Sequence, residues 1–184
     1  MTTALAKTIQ PDEWAMIQMM SMTIFESHAF PGVSSPATAA VLLLTARDLG
    51  IPYSAALQGI DMINGKPSVR PALVWAIIRA SGLLESFTVK DHTDAKGIPT
   101  ACTVTLTRKG DQPYSVTVTM EDAQRAGLVK PNSGWTSWPA NMLRARALGF
   151  VEDIVFPDLL YGIKRSDEYG ADEAARELVI EEAA

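Results

Sequence analysis

Cysteine and histidine are scarce in this chain. Its 184 residues include one cysteine, Cys102, and two histidines, His28 and His92. A single cysteine forms no intrachain disulfide and no cysteine-based metal cluster. The two histidines lie far apart, in neither HxH nor HxxxH spacing, which argues against a histidine metal site. The sequence therefore predicts neither a metal nor another cofactor.

Long hydrophobic runs are also lacking. The longest apolar run, Ala37 to Ala46, is interrupted by Thr38 and Thr45 and is too short to span a bilayer. The first residues lack the basic-then-apolar order of a signal peptide. Together with the single cysteine, these features predict a cytoplasmic protein with no membrane partner.

Motifs that bind phosphate or carry out catalysis are missing as well. Neither GxGxxG nor GxxxxGKS/T occurs, so no nucleotide-binding loop is indicated. The adjacent carboxylates Glu121–Asp122 and Glu152–Asp153 point in different directions on a helix and cannot share a reacting atom. Cys102 lies in a strand-like stretch, where a small buried thiol is usual. We therefore expect no enzyme activity. An α+β enzyme is kept as a third interpretation, after the two interpretations given at the end of this section.

Charge is distributed unevenly along the chain. Residues 1–50 carry a net charge of −2, residues 51–150 have 11 basic and 7 acidic side chains, and residues 151–184 carry −7. Such asymmetry is typical of a nucleic-acid-binding middle with an acidic tail. It also fits an ordinary solvated surface with a soluble helical tail. The charge distribution alone favours this second interpretation over nucleic-acid binding.

The hydrophobic periodicity predicts an α+β fold of one domain over residues 1–165. Helices are expected over 12–49, a β-hairpin over 60–70, a three-stranded antiparallel meander over 83–119 and a helix over 138–152. A further helix begins at Pro71 and stops at Gly82. Residues 166–184 are expected to form an acidic helical tail. The absence of alternating βα units argues against a doubly wound nucleotide-binding sheet.

Local signals fix several boundaries. Ser35 is the expected N-cap of a helix that begins at Pro36. The Asn64–Gly65 pair predicts a type I′ turn, which needs positive φ at both central residues. Thr119 with Asp122 three positions later resembles a capping box.

Four methionines are concentrated in the first predicted helix. They are Met16, Met19, Met20 and Met22. Methionine is flexible and fills irregular gaps between packed elements. We therefore expect these side chains to pack in the core.

The stretch from Trp135 to Pro157 is the most informative. Arg144 and Arg146 lie on an otherwise apolar helix and project roughly 200° from each other. Either one pairs internally or the helix contacts a partner or a polyanion. Trp135 and Trp138 flank the helix start, where they are either a hydrophobic staple and a core indole or part of an aromatic and arginine surface that binds nucleic acid.

This block belongs to a longer pattern. The pattern comprises a hairpin from Gln58–Gly59 to Lys66–Pro67, a block with Trp135, Pro139, Met142, Leu143, Arg146 and Ala147, and Phe156–Pro157–Asp158 followed by Gly162. In this order and spacing the pieces resemble the phage RecT/Redβ family of single-strand annealing proteins. The resemblance covers roughly residues 35 to 165.

The resemblance implies a RecT/Redβ-like annealing fold and an ATP-independent function in phage-type homologous recombination. Such a protein binds single-stranded DNA, pairs complementary strands and assembles with itself into a ring or helical filament. The implied partners are single-stranded DNA, the annealed duplex and further copies of the chain. A phage exonuclease or a host single-strand-binding protein is a further implied partner, in a bacterial host cell.

The resemblance also implies which residues contact DNA. Arg144 and Arg146 match basic positions of the family's helix, Lys66 matches the hairpin lysine, and Arg79 matches the basic residue that ends the next helix. Charge and position alone add Arg108, Lys109, Arg125 and Lys130. Stacking candidates are Trp135 and Trp138.

The sequence departs from the family at several basic positions. Ala140 and Asn141 stand where family members tend to have basic residues, and Glu152–Asp153 stands where an arginine is usual. Each lost phosphate contact lowers the salt slope of single-strand binding by about 0.7. These departures and the acidic tail favour an alternative, in which the chain is a RecT-fold self-assembling interaction module that has lost DNA annealing.

Overall fold

The structure is a computed structural model that describes residues 8–166. These residues form the helices α1 (Pro11–Ser27), α2 (Pro36–Leu49), α3 (Tyr53–Gly59), α4 (Pro71–Ala80), α5 (Met120–Arg125), α6 (Gly134–Ser137), α7 (Pro139–Val155) and α8 (Pro157–Leu160). The strands are β1 (Ile60–Ile63), β2 (Lys66–Val69), β3 (Leu84–Thr93), β4 (Pro99–Arg108) and β5 (Tyr114–Thr119). This combination of helices with two antiparallel sheets confirms the α+β prediction. Apart from Ser166, the predicted acidic tail of residues 166–184 lies outside the described residues.

The chain divides into two compact units, Met1–Leu73 and Val74–Ala184. Within residues 8–166 no single helix is long and apolar enough to cross a membrane. The helices α2 and α3 reach that length and apolarity only as a pair bent by 117°.

Proline and capping residues set the helix starts. Five helices begin at a proline, namely at Pro11, Pro36, Pro71, Pro139 and Pro157. Proline suits this position because its missing N–H would lack a helical partner there. Before α2, the Ser35 hydroxyl accepts a hydrogen bond from the Thr38 backbone N–H at 3.0 Å. This contact confirms the predicted N-cap.

The first unit is centred on the packing of α1 against α2. Ile17 of α1 and Leu42 and Leu43 of α2 are almost completely buried. At the edge of this contact the Arg47 Nε donates to the Glu13 carboxylate at 2.6 Å. The ion pair therefore ties the two helices together beside their apolar contact.

The prediction that the α1 methionines pack in the core is wrong for three of the four. Met16, Met19 and Met22 are 45%, 66% and 49% exposed, and Met20 is half-buried. The helix is apolar on several sides, and only one of them faces α2. The buried α1 positions are Ile17 and Ser21, so the methionines project mainly into solvent.

The predicted hairpin of β1 and β2 is confirmed. Its strands pair antiparallel with Ile63 opposite Lys66. Asn64 and Gly65 have φ values of 52° and 74°, as a type I′ turn requires. Lys66 is exposed directly after the turn.

The second unit contains the predicted meander, in the order β3-β4-β5. In β4, Cys102, Val104 and Leu106 point to one face and are fully buried. The long helix α7 packs against this face over β4 and β5 and contributes the buried Leu143 and Ala147. The structure thus confirms the buried position expected for the thiol.

Elements around α7 complete this unit. The predicted capping box is confirmed, because the Thr119 hydroxyl accepts from the Asp122 N–H at 3.0 Å and the Thr119 N–H donates to the Asp122 carboxylate. α7 extends to Val155, three residues beyond the predicted end. The short helices α6 and α8 were not predicted from the sequence, since single turns carry no periodicity.

Arg165, which follows α8 in the chain, packs against α7. Arg165 and Glu152 are each 2% exposed, and the Arg165 Nη1 donates to the Glu152 carboxylate at 3.3 Å. The Arg165 guanidinium lies against Gly149, where a Cβ atom would be 1.7 Å from Nη1. A residue without a side chain is therefore needed at this point of the helix.

Candidate nucleic-acid interface

One row of β3 side chains is left partly open by the packing of α7. Phe87, Val89 and Asp91 lie opposite Leu106, Val104 and Cys102 of β4, and so they point to the face that α7 covers. The β4 residues are fully buried, whereas Phe87 and Val89 are 38% and 41% exposed. The difference arises because α7 packs over β4 and β5 and meets β3 at few positions.

Trp75 and Arg79 lie at one end of this row. The Trp75 ring packs against Phe87 with 4.7 Å between ring centroids and a tilt of 52°. One helical turn later on α4, the Arg79 guanidinium lies 5.8 Å from the Trp75 ring centroid. Arg79 is exposed and has no ion-pair partner among residues 8–166. Two aromatic rings and a free guanidinium are thereby brought together.

Arg144 and Asp91 lie at the other end. The Arg144 Nη2 donates to Asp91 Oδ2 at 2.6 Å and its Nε donates to Oδ1 at 2.9 Å. The side chains remain 47% and 39% exposed. Through these hydrogen bonds Arg144 lowers the pKa of the Asp91 carboxyl, and Asp91 raises the pKa of Arg144. Both groups are therefore charged at neutral pH.

Cys102 lies beneath this ion pair, directly opposite Asp91 in the strand register. Burial raises the pKa of the Cys102 thiol to about 11, and the negative charge of Asp91 adds to the shift. The thiol is therefore neutral at physiological pH and unsuited to nucleophilic chemistry. Among residues 8–166, no three histidine, cysteine, aspartate or glutamate side chains are placed to hold a metal ion.

We refer to these groups together as the β3 strip, defined as Trp75, Arg79, Phe87, Val89, Asp91 and Arg144. The Trp75 ring is half-buried, and the other five side chains are exposed. From Phe87 to Asp91 the strand rises by about 13 Å. The strip combines aromatic surface, which stacks with bases, and guanidinium groups, which bind phosphates. This combination is the chemistry required to bind a single strand of nucleic acid.

The structure separates Arg146 from Arg144, as their spacing on the helix predicts. The Arg146 guanidinium is half-buried and lies 4.8 Å from the centroid of the Phe150 ring. Of these two arginines, only Arg144 belongs to the β3 strip. The sequence leaves open that one of the two pairs within its own chain, and Arg144 does so with Asp91.

Two other predicted arginines are paired with carboxylates of their own chain. The Arg108 Nη2 donates to the Asp158 carboxylate at 2.8 Å, and its Nη1 reaches the Val155 carbonyl oxygen at 3.2 Å. Arg125 pairs with Asp122 one helical turn earlier at 2.9 Å. Arg108 joins β4 to the end of α7, so its geometry is that of a structural ion pair.

The remaining predicted residues are scattered. Lys109 and Lys130 are exposed in loops of the second unit, and Lys66 belongs to the first unit. Trp135 is only 7% exposed and packs as a core indole, whereas Trp138 is 68% exposed at the start of α7. Of the ten predicted DNA-binding residues, Arg79 and Arg144 are the two in the β3 strip.

The opposite face of the meander is lined with hydroxyl groups. Three cross-strand pairs link its side chains, Ser86 with Thr107, Thr103 with Thr117 and Thr105 with Ser115, at 2.6–2.8 Å. These hydrogen bonds stabilise the strand pairing. Because the hydroxyl groups hydrogen-bond to one another, strand pairing accounts for the threonine-rich sequence, and no bound ligand is needed to explain it.

A scan against models of protein families finds no match to the chain, and a search of curated proteins finds none either.

Sequence inspection missed Trp75, Phe87 and Asp91. The α4 periodicity made Trp75 an ordinary core position. Period-two alternation in β3 does place Phe87, Val89 and Asp91 on one face, and this is the signal that could have identified the row. The sequence does not show that α7 leaves this row of side chains uncovered, because this depends on the tertiary packing.

Proposed function

We propose that this protein binds single-stranded DNA without a nucleotide cofactor and anneals complementary strands. In this proposal it has a RecT/Redβ-like fold and acts as an oligomeric ring or filament in phage-type recombination. The observation that supports DNA binding most directly is the β3 strip, in which exposed aromatic surface lies between two arginines. The order of motifs from Gln58 to Gly162 supports the family and the annealing activity.

The proposed chemistry needs no catalytic group. Bases stack on the Trp75 and Phe87 rings, each stacked base contributing about 1–3 kcal/mol. Arg79 and Arg144 neutralise phosphates and so reduce the repulsion between two approaching strands. Because pairing of complementary strands is downhill, holding one strand extended is enough to accelerate it.

A second candidate function is a self-assembling interaction module without DNA annealing. The observation that favours it is the pairing of Arg108, Arg125 and Arg144 with carboxylates of the same chain. These carboxylates neutralise the arginines and compete with a phosphate for their donor groups. The net charge of −5 also opposes binding to DNA.

Fluorescence anisotropy of a labelled oligonucleotide tests the proposal, followed by an annealing assay without nucleotide. The test variant combines Arg79→Gln with Phe87→Ala. The chain offers a matched control in Arg146→Gln with Phe150→Ala, since Arg146 lies over an aromatic ring, as Arg79 does, and Phe150 is exposed to a similar degree as Phe87. Circular dichroism confirms that each variant is folded.

We expect the wild-type protein to bind the oligonucleotide and to accelerate annealing. The strip variant should bind at least about fivefold more weakly because it loses a stacked base, and its salt slope should fall by about 0.7 with the lost phosphate contact. The control variant should bind like wild type. Particles with no DNA affinity would instead select the interaction module, and an equal loss in both variants would reject the β3 strip as the binding surface.

A further inference from the structure

The guanidinium of Arg144 has an acceptor at each of its three nitrogens. Nε and Nη2 donate to the Asp91 carboxylate, and Nη1 donates to the Asn141 side-chain oxygen at 3.3 Å. Oδ1 accepts from Nε at 2.9 Å, and Oδ2 accepts from Nη2 at 2.6 Å and from Nε at 3.2 Å. Asp91 therefore occupies the Nε/Nη2 edge of Arg144, which is a donor edge that also suits a bidentate anion.

A DNA phosphate uses the same donor edge. Arginine binds carboxylate and phosphate groups alike through two parallel N–H···O hydrogen bonds. Since the Arg144 and Asp91 side chains are 47% and 39% exposed, a phosphate can reach the pair from solvent. Binding at the Nε/Nη2 edge exchanges one anion for another instead of filling an empty site.

We propose that Asp91 is an internal competitor for DNA phosphate at Arg144 and thereby regulates the affinity of the β3 strip. This inference rests on the proposed function, because it assumes that the strip contacts DNA. Asp91 occupies Arg144 in the free protein and lowers the net gain from a phosphate contact. A strand held in this way is released readily, which suits a protein that must hand one strand over to its complement.

The test compares Asp91→Asn with the double variant Asp91→Asn plus Arg144→Gln. Asparagine keeps the size of the side chain but removes the charge that competes with phosphate. The matched control is Asp61→Asn, which makes the same charge change at another exposed pair, where Arg70 donates to Asp61 at 2.7 and 2.8 Å. Anisotropy with a labelled single-stranded oligonucleotide is recorded between 50 and 200 mM salt.

We expect Asp91→Asn to tighten binding about twofold to fivefold, the range of an exposed ion pair, and to steepen the salt slope by about 0.7. Adding Arg144→Gln should cancel both gains, and Asp61→Asn should leave the affinity close to wild type. Weaker or unchanged binding by Asp91→Asn, or an equal gain from Asp61→Asn, overturns the competitor role. If wild type binds while Asp91→Asn shows no gain, only this inference fails. If wild type and all variants fail to bind at 50 mM salt, the proposed function fails with it.

Discussion

Replacing Gly149 by alanine should destabilise this protein, although the same change in an ordinary helix is stabilising. An added Cβ at Gly149 would lie 1.7 Å from the Arg165 Nη1 and 1.9 Å from its Cζ. The guanidinium has to move, and its movement breaks the contact with the Glu152 carboxylate. Glu152 and Arg165 are each 2% exposed, so both charges would lose this contact in a buried environment.

The magnitude follows from two opposing effects. Alanine gains about 1 kcal/mol over glycine inside a helix. Breaking a buried ion pair costs about 3–5 kcal/mol, which leaves a net loss of about 2–4 kcal/mol for Gly149→Ala. For a chain of this size, the loss lowers Tm by roughly 4–16 °C. Thermal and urea unfolding followed by circular dichroism measure both quantities.

Two variants control this experiment. Gly32→Ala adds a Cβ with no atom within 4 Å and should change the stability little. In an Arg165→Ala background the clash is gone, so Gly149→Ala should regain the helical advantage of alanine; the difference between the backgrounds is the coupling energy. A Gly149→Ala protein as stable as wild type would refute the close packing of Arg165 on α7.

Three further predictions follow from burial and charge. Trp135→Ala should lower the unfolding free energy by about 3–5 kcal/mol, whereas Trp138→Ala, at a position 68% exposed, should change it by less than about 0.5 kcal/mol; equal effects would contradict the assigned burial. Hydrogen bonds from arginine lower the pKa of Asp91 and Asp158 below 3.8. The two ion pairs therefore stabilise the folded protein fully above pH 3.8, and this contribution is lost as the pH falls toward the lowered pKa values. Urea unfolding should have a lower midpoint at pH 3 than at pH 6, and an unchanged midpoint would argue against the pairs. Cys102, fully buried and with a pKa of about 11, should react with a thiol reagent at pH 8 only after denaturant is added; rapid labelling of the native protein would contradict its position.

The features that the sequence predicts well are local ones. Ser35 before Pro36, the Asn64–Gly65 turn and the Thr119 capping box each depend on residues within four positions of one another. Backbone sterics and short-range hydrogen bonds determine such features without reference to the rest of the fold. The meander follows in the same way, because alternation with period two is visible along each strand.

Long-range placement could not be predicted. The Asp91–Arg144 pair joins residues 53 positions apart, and nothing in either neighbourhood indicates the partner. The α1 methionines show the same limit, because an apolar helix does not reveal which of its sides meets another element. The candidate site therefore depends on tertiary packing, through which Phe87 is exposed and Arg79 lies beside Trp75.

Ultraviolet cross-linking of a bromouracil-substituted single strand, followed by mass spectrometry, tests most directly whether the β3 strip is the DNA-binding surface. Aromatic side chains in contact with a base form the adducts, and the strip contains two rings, the exposed Phe87 and the half-buried Trp75. We predict adducts on the peptides that contain these two residues, with the yield reduced by Arg79→Gln. Adducts confined to the peptides with Trp138 or Phe150, or none under conditions in which the strand binds, would contradict the account.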